Sequence, residues 1–106
     1  MRNVVIGFLG TQLDMGERRE WRPSVQLCQH PGFPVDRLEL IHDGRHYHLA
    51  CIVAAAIGRI APETEVRLVN IDMKDPWDFQ EVYGKLYDFA ASYGFDEDRE
   101  RYHVHL

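Results

Sequence analysis

The residues from Val4 to Thr11 read Val-Val-Ile-Gly-Phe-Leu-Gly-Thr. A β-branched and aromatic run that stops at Gly-Thr is the pattern of a buried strand delivering a tight loop to the ligand-facing edge of an α/β sheet. In such a loop the backbone amides of Gly10, Thr11 and Gln12 can approach a phosphate without a bulky first side chain, and the Thr11 hydroxyl adds a donor. Arg18, Arg19 and Arg22 follow, and arginine binds phosphate oxygens through paired N–H groups. Glu17 and Glu20 flank Arg18 and Arg19 and favour a solvated charge run there, so Arg22, between Trp21 and Pro23, is the stronger candidate. On spacing alone the turn is also ordinary glycine punctuation. It is no dinucleotide fingerprint, because G-x-G-x-x-G is absent, and there is no Walker A motif.

A second concentration of polar groups is His42-Asp43-Gly44-Arg45-His46-Tyr47-His48. Histidines here suggest an acid–base pair or a metal site. His46 and His48, two apart at a helix start, point in different directions and do not supply three or four converging ligands. No metal and no cofactor is expected. His103 and His105 share one face of the last strand, which reads as hydrogen-bonded packing on a central strand. Trp77 and Phe79 read as a helix–sheet packing anchor, with base stacking as the alternative.

The elements that must position these groups follow from periodicity. Strands are expected over Asn3–Leu9, Val35–His42, Glu65–Ile71 and Tyr102–Leu106. The polar alternation of the second, with Arg37, Glu39 and Ile41 opposite Leu38, Leu40 and His42, suggests a less buried, outer position. Between them, 10–22 reads as a long exposed loop and Pro23 opens a short helix that ends at Pro31-Gly32. Asp43 is placed to cap a helix with an apolar stripe of Leu49, Ile52, Val53, Ala56, Ile57 and Ile60, stopped by Pro62. Asp75-Pro76 reads as the cap and first position of a helix reaching about Tyr93, its buried face formed by Phe79, Val82, Tyr83, Leu86, Phe89, Ala90 and Tyr93. The order βαβαβαβ implies an α/β, Rossmann-like, mostly parallel sheet with helices on both faces.

Composition excludes several classes. The 106 residues allow one domain, and the longest apolar run, 50–57, is far below the roughly 20 residues a membrane span needs. No secretory signal is read at the start, so a cytoplasmic protein with no membrane partner is expected. Cys28 and Cys51 fall at apolar helix positions and read as reduced core thiols. A net charge of −5 argues against broad binding to duplex nucleic acid, while leaving room for a small basic pocket that holds an RNA end.

Together with Trp21-Arg22-Pro23-Ser24-Val25, Asp36-Arg37-Leu38-Glu39-Leu40 and 75–83, the opening strand and loop resemble the N-terminal sensor domain of the sigma-54-dependent regulators of the RNA 3'-terminal phosphate cyclase operon. That sensor is a CRISPR-associated Rossmann fold (CARF) domain, and the resemblance runs from Asn3 to Leu106. It implies a noncatalytic RNA-repair sensor, truncated relative to the family domain, that binds an RNA end or oligonucleotide, 2',3'-cyclic phosphate among the end chemistries, and controls an AAA+ module. In the family a Thr-Gly-Thr loop, further α/β elements, the AAA+ ATPase and a DNA-binding helix pair follow; all are absent from these 106 residues, and a homo-oligomer is expected. The ligand residues it implies are Gly10, Thr11, Gln12, Arg22, His42 and Asp43. The alternatives are a CARF-type nuclease using His42 or His46 to cleave RNA or a cyclic oligonucleotide, and a nonfunctional or dimerising fragment.

Overall fold

A computed structural model describes residues 1–9, 28, 32–72, 74 and 78–105. Four strands, β1 (Arg2–Phe8), β2 (Arg37–His42), β3 (Glu65–Asn70) and β4 (Glu100–His105), form one sheet in the order β3-β2-β1-β4. Every pairing is parallel, with Val4 opposite Arg37 and Tyr102, and Leu38 opposite Val66. A short 3-10 turn (Gly44–His46) leads into α1 (Tyr47–Ile60), and α2 (Phe79–Ser92) precedes β4. This is the α/β Rossmann-like arrangement that alternating strands and helices imply. The expected helix after Pro23 lies outside the described residues except for Cys28, which is helical and packs on the core. The 10–22 loop lies wholly outside them.

The two faces of the sheet carry two cores. On one, Val5, Leu38 and Leu40 pack against Ala50, Val53, Ala56 and Ile57 of α1. On the other, Ile6, Ile41 and Ile71 meet Leu86 and Phe89 of α2. Alternation along each strand makes this division, because successive side chains point to opposite faces.

Several expectations need correction. β2 is an interior strand with all six residues buried, not an outer one. Its charged residues are tolerated inside because Arg37 and Glu39 pair with each other and with neighbours, as described below. β4, expected to be central, is an edge of the described sheet. The α1 stripe is rotated: Ala50 is fully buried, whereas Ile52 and Ile60 are 41% and 48% exposed. A small residue lets the helix approach the sheet closely, and the β-branched pair is left on its flank.

α2 begins three residues later than Asp75-Pro76 suggested. Asp78 is its N-cap, accepting from the amides of Gln80 and Glu81, and residues 75–77 lie outside the described set. None of its residues is buried: Phe79 and Tyr83 are 89% and 72% exposed, and Ala90 is exposed too. Val82, Leu86, Phe89 and Tyr93 alone of the expected face lie half-buried. An apolar arc as wide as this one exceeds what a single sheet face can cover, so Phe79 is not a packing anchor here.

Candidate functional site

β1, β2 and β3 run in register to the same end of the sheet. The ladder continues past the strands, with the Leu9 amide donating to the Ile41 carbonyl at 2.9 Å and the Ile71 amide to that of His42 at 2.8 Å. Leu9 and the residues from His42 onward therefore emerge side by side, at the carboxyl ends where open α/β sheets bind ligands. Gly10, Thr11, Gln12 and Arg22 lie outside the described residues.

His42 is 5% exposed. Its Nδ1 lies 2.7 Å from the Asp43 carbonyl oxygen, and its ring tilts against that of Tyr47 at 5.7 Å. Asp43 caps the 3-10 turn: its Oδ1 accepts from the His46 amide at 3.0 Å and lies 2.6 Å from His46 Nδ1, while Oδ2 accepts from Arg45 at 3.3 Å. Burial pushes the Asp43 carboxyl up, but the His46 and Arg45 contacts outweigh it and hold the group below the usual carboxylate range. Both residues reach the expected edge, and both spend polar capacity on shaping the turn there.

Gly44 ties this turn to the next loop. Its amide donates to Asp72 Oδ1 at 3.0 Å, and a Cβ on Gly44 would sit 2.9 Å from that same oxygen. Glycine is needed here for close approach rather than for an unusual backbone angle. Beyond Asp72, a cavity of about 380 Å³ is lined by Asp72, Lys74, Glu81 and Lys85, with the Lys74 amide donating to Glu81. The β2 and β3 ends thus mix carboxylates, Asp43, Asp72 and Glu81, with the cations Arg45, Lys74 and Lys85.

At the opposite, amino end of the strands lies a charged network that periodicity had not singled out. Arg37 Nε donates to Glu39 at 2.9 Å, and its two terminal nitrogens reach Glu100 at 2.6 and 2.9 Å and the Tyr93 hydroxyl at 2.8 Å. Tyr93 in turn donates to Glu39 at 2.9 Å, and Tyr102 to Glu100 at 2.7 Å. The Arg37 hydrogen bonds, with help from Tyr102, pull the Glu100 carboxyl down to about 2, and the Glu100 bond raises the already high Arg37. The available signal was a basic and an acidic residue at alternate positions of an apolar strand. The expectation that the β4 histidines are hydrogen-bonded fails for His103, whose Nε2 is buried without a partner among the described residues and whose ring instead meets Phe33 edge-on at 4.7 Å.

The cysteines are free, and burial pushes the Cys28 thiol up to about 11, which suits an unreactive core group. Among the described residues no group of histidine, cysteine and carboxylate side chains is arranged to hold a metal, and no helix is long and apolar enough to cross a membrane.

A family model described as regulator of RNA terminal phosphate cyclase matches residues 1–106. The transcriptional regulatory protein RtcR of Escherichia coli (strain K12) is 43% identical over 110 residues, which cover 99% of this chain and 21% of that protein. The chain thus spans about a fifth of the length of the curated relative it matches. No solved structure matches it.

Proposed function

From the membership of this chain in the family of regulators of RNA terminal phosphate cyclase, we propose that it is the noncatalytic sensing part of a longer transcriptional regulator. The match along the whole chain to a fifth of a regulatory protein carries this reading: a folded unit with no Walker A motif in its sequence and no DNA-binding helix pair among the described residues leaves those tasks to other parts of a longer regulator. Its ligand is an RNA end or short oligonucleotide bearing a terminal phosphate, cyclic in the form that RNA cleavage leaves. Binding acts by population shift, favouring one arrangement of the sensor against an AAA+ module in an oligomeric, sigma-54-dependent activator.

The ligand sits across the carboxyl end of β1. Gly10, Thr11 and Gln12 offer amides to the phosphate, and Arg22 adds paired donors. With the phosphate toward β1, the sugar or base lies toward β2, where the carboxylates of Asp43 and Asp72 can accept hydroxyl or amino hydrogens. His42 and Asp43 hold that side in shape.

Titrating a labelled RNA with a 2',3'-cyclic phosphate against the same RNA ending in hydroxyls tests the reading. Preferential binding of the cyclic phosphate, weakened about tenfold or more by Arg22→Ala and by Thr11→Val and lowered by salt, is expected from the loss of one charge-assisted hydrogen bond. Equal binding of both RNAs, or an affinity indifferent to both substitutions, would remove the site. Cleavage of the RNA that is lost in His42→Ala would instead make the chain a nuclease.

A further inference from the structure

We propose that the charged recess at the amino end of the sheet is a second binding site, for a small polyphosphate ligand of about nucleotide size. It is separate from the site above, since it lies at the other end of the strands from His42 and Asp43. Its volume is about 680 Å³, within the roughly 300–1,000 Å³ of small-ligand pockets. The end of α2 at Ser92, Tyr93 and Gly94 forms one wall; Arg2, Arg37 and Glu100 are the first residues of β1, β2 and β4, and Arg67 is the third of β3.

The floor of this recess is costly as packing. Arg37 and Glu39 are 5% and 2% exposed, on the sheet face that elsewhere carries Ile6 and Ile41. A buried ion pair is commonly no more stabilising than an apolar pair of the same volume, so stability alone does not account for it. What the network does achieve is a rigid wall in which Glu39 and Glu100 are already occupied, leaving Asp96, 3.9 Å from Arg99, as the one lining acid whose carboxylate makes no hydrogen bond among the described residues. Glu39 accepts from Arg37 and Tyr93, and Glu100 accepts from Arg37 and Tyr102.

The remaining guanidiniums are therefore left with donors to offer. Among the described residues the Arg2 side chain makes no hydrogen bond, and Arg67 and Arg99 approach carboxylates only at 3.6 and 3.9 Å, beyond hydrogen-bonding reach. Four arginines against two carboxylates, Asp96 and Glu100, leave the lining of this recess positive in a chain of net charge −5. The negative end of the α2 dipole favours cations here, but an effective half charge does not call for four of them. Guanidinium forks match phosphate oxygens, and the Tyr93 ring, 4.7 Å from the half-exposed ring of Phe95, offers an aromatic rim for a base.

Titration of the 106-residue chain with inorganic pyrophosphate, and separately with adenosine triphosphate, while amide chemical shifts are recorded, tests this. Saturable shifts centred on Arg2, Arg67, Tyr93 and Arg99 are expected with both probes. The double substitution Arg67→Gln/Arg99→Gln changes only exposed side chains and should weaken binding about tenfold or more, whereas His42→Ala should leave it unchanged. Affinity undiminished in the double variant, no saturable shift with either probe, or shifts centred on the His42 end would overturn the proposal. Saturation by an acidic peptide but by neither phosphate would overturn it as well, in favour of a protein-docking surface.

Discussion

Single residues in this protein serve geometry at one end of the sheet and charge balance at the other. Gly44 shows the first: its amide meets Asp72, and the space where a Cβ would stand is taken by that carboxylate. Gly44→Ala should lower stability by about 0.5–1.5 kcal/mol, the net worth of one hydrogen bond, because the exposed Asp72 side chain can swing aside only by giving the bond up. In an Asp72→Ala background the same substitution should cost little, and the difference between urea midpoints at constant slope measures that coupling. A full-sized loss in both backgrounds would mean that the backbone, not the Asp72 contact, sets the requirement. That Asp43 caps was legible from its type and position, but the element it caps is the 3-10 turn, and α1 itself follows His46 without a side-chain cap. The Gly44–Asp72 bond was not legible, since it joins residues 28 apart that meet only because β2 and β3 pair.

At the scale of elements, α1 and α2 share a length of 14 residues and differ in how they are held. α1 buries Ala50, Val53, Ala56 and Ile57 against the sheet, while α2 buries no residue and leaves Phe79, Tyr83 and Tyr87 exposed. Ile57→Ala should therefore cost about 2–5 kcal/mol, the usual range for a buried large-to-small change, and Ile52→Ala less than about 1 kcal/mol. Chemical denaturation of both variants gives the comparison, and equal losses would contradict the face assigned to α1. Periodicity alone named both isoleucines as core, because a stripe in sequence has a width but no centre. The sheet supplied the centre, through the close approach that Ala50 and Ala56 permit.

For the molecule as a whole, the Arg37 network joins β2, the end of α2 and β4, so its charge state bears on global stability. The folded Glu100 carboxyl, held near 2 by the Arg37 hydrogen bond, lies below its ordinary value of 4.5. A group depressed in this way contributes stability that is fully present above about pH 4.5 and is lost as the pH falls through about 2. Acid titration of stability should show a decline across that window, and Glu100→Gln should flatten it. An unchanged pH slope in that variant would place the acid sensitivity elsewhere. Asp43, also depressed, acts in the same direction at the other end of the sheet.

The sequence by itself determined the alternation of strands and helices, their approximate spans, the parallel α/β class and the family, because these depend on local periodicity and on motifs spread along the whole chain. It also brought His42 and Asp43 to the carboxyl edge, since a strand's end is a local property. Only the tertiary structure decided that β2 is interior and that its arginine and glutamate are buried with partners. Polar alternation reads as exposure until Tyr93 and Glu100, 56 and 63 residues away, arrive to satisfy the charges. It alone decided, too, that four arginines scattered from Arg2 to Arg99 gather in one recess, because parallel pairing brings together the amino ends of strands that lie far apart in the chain.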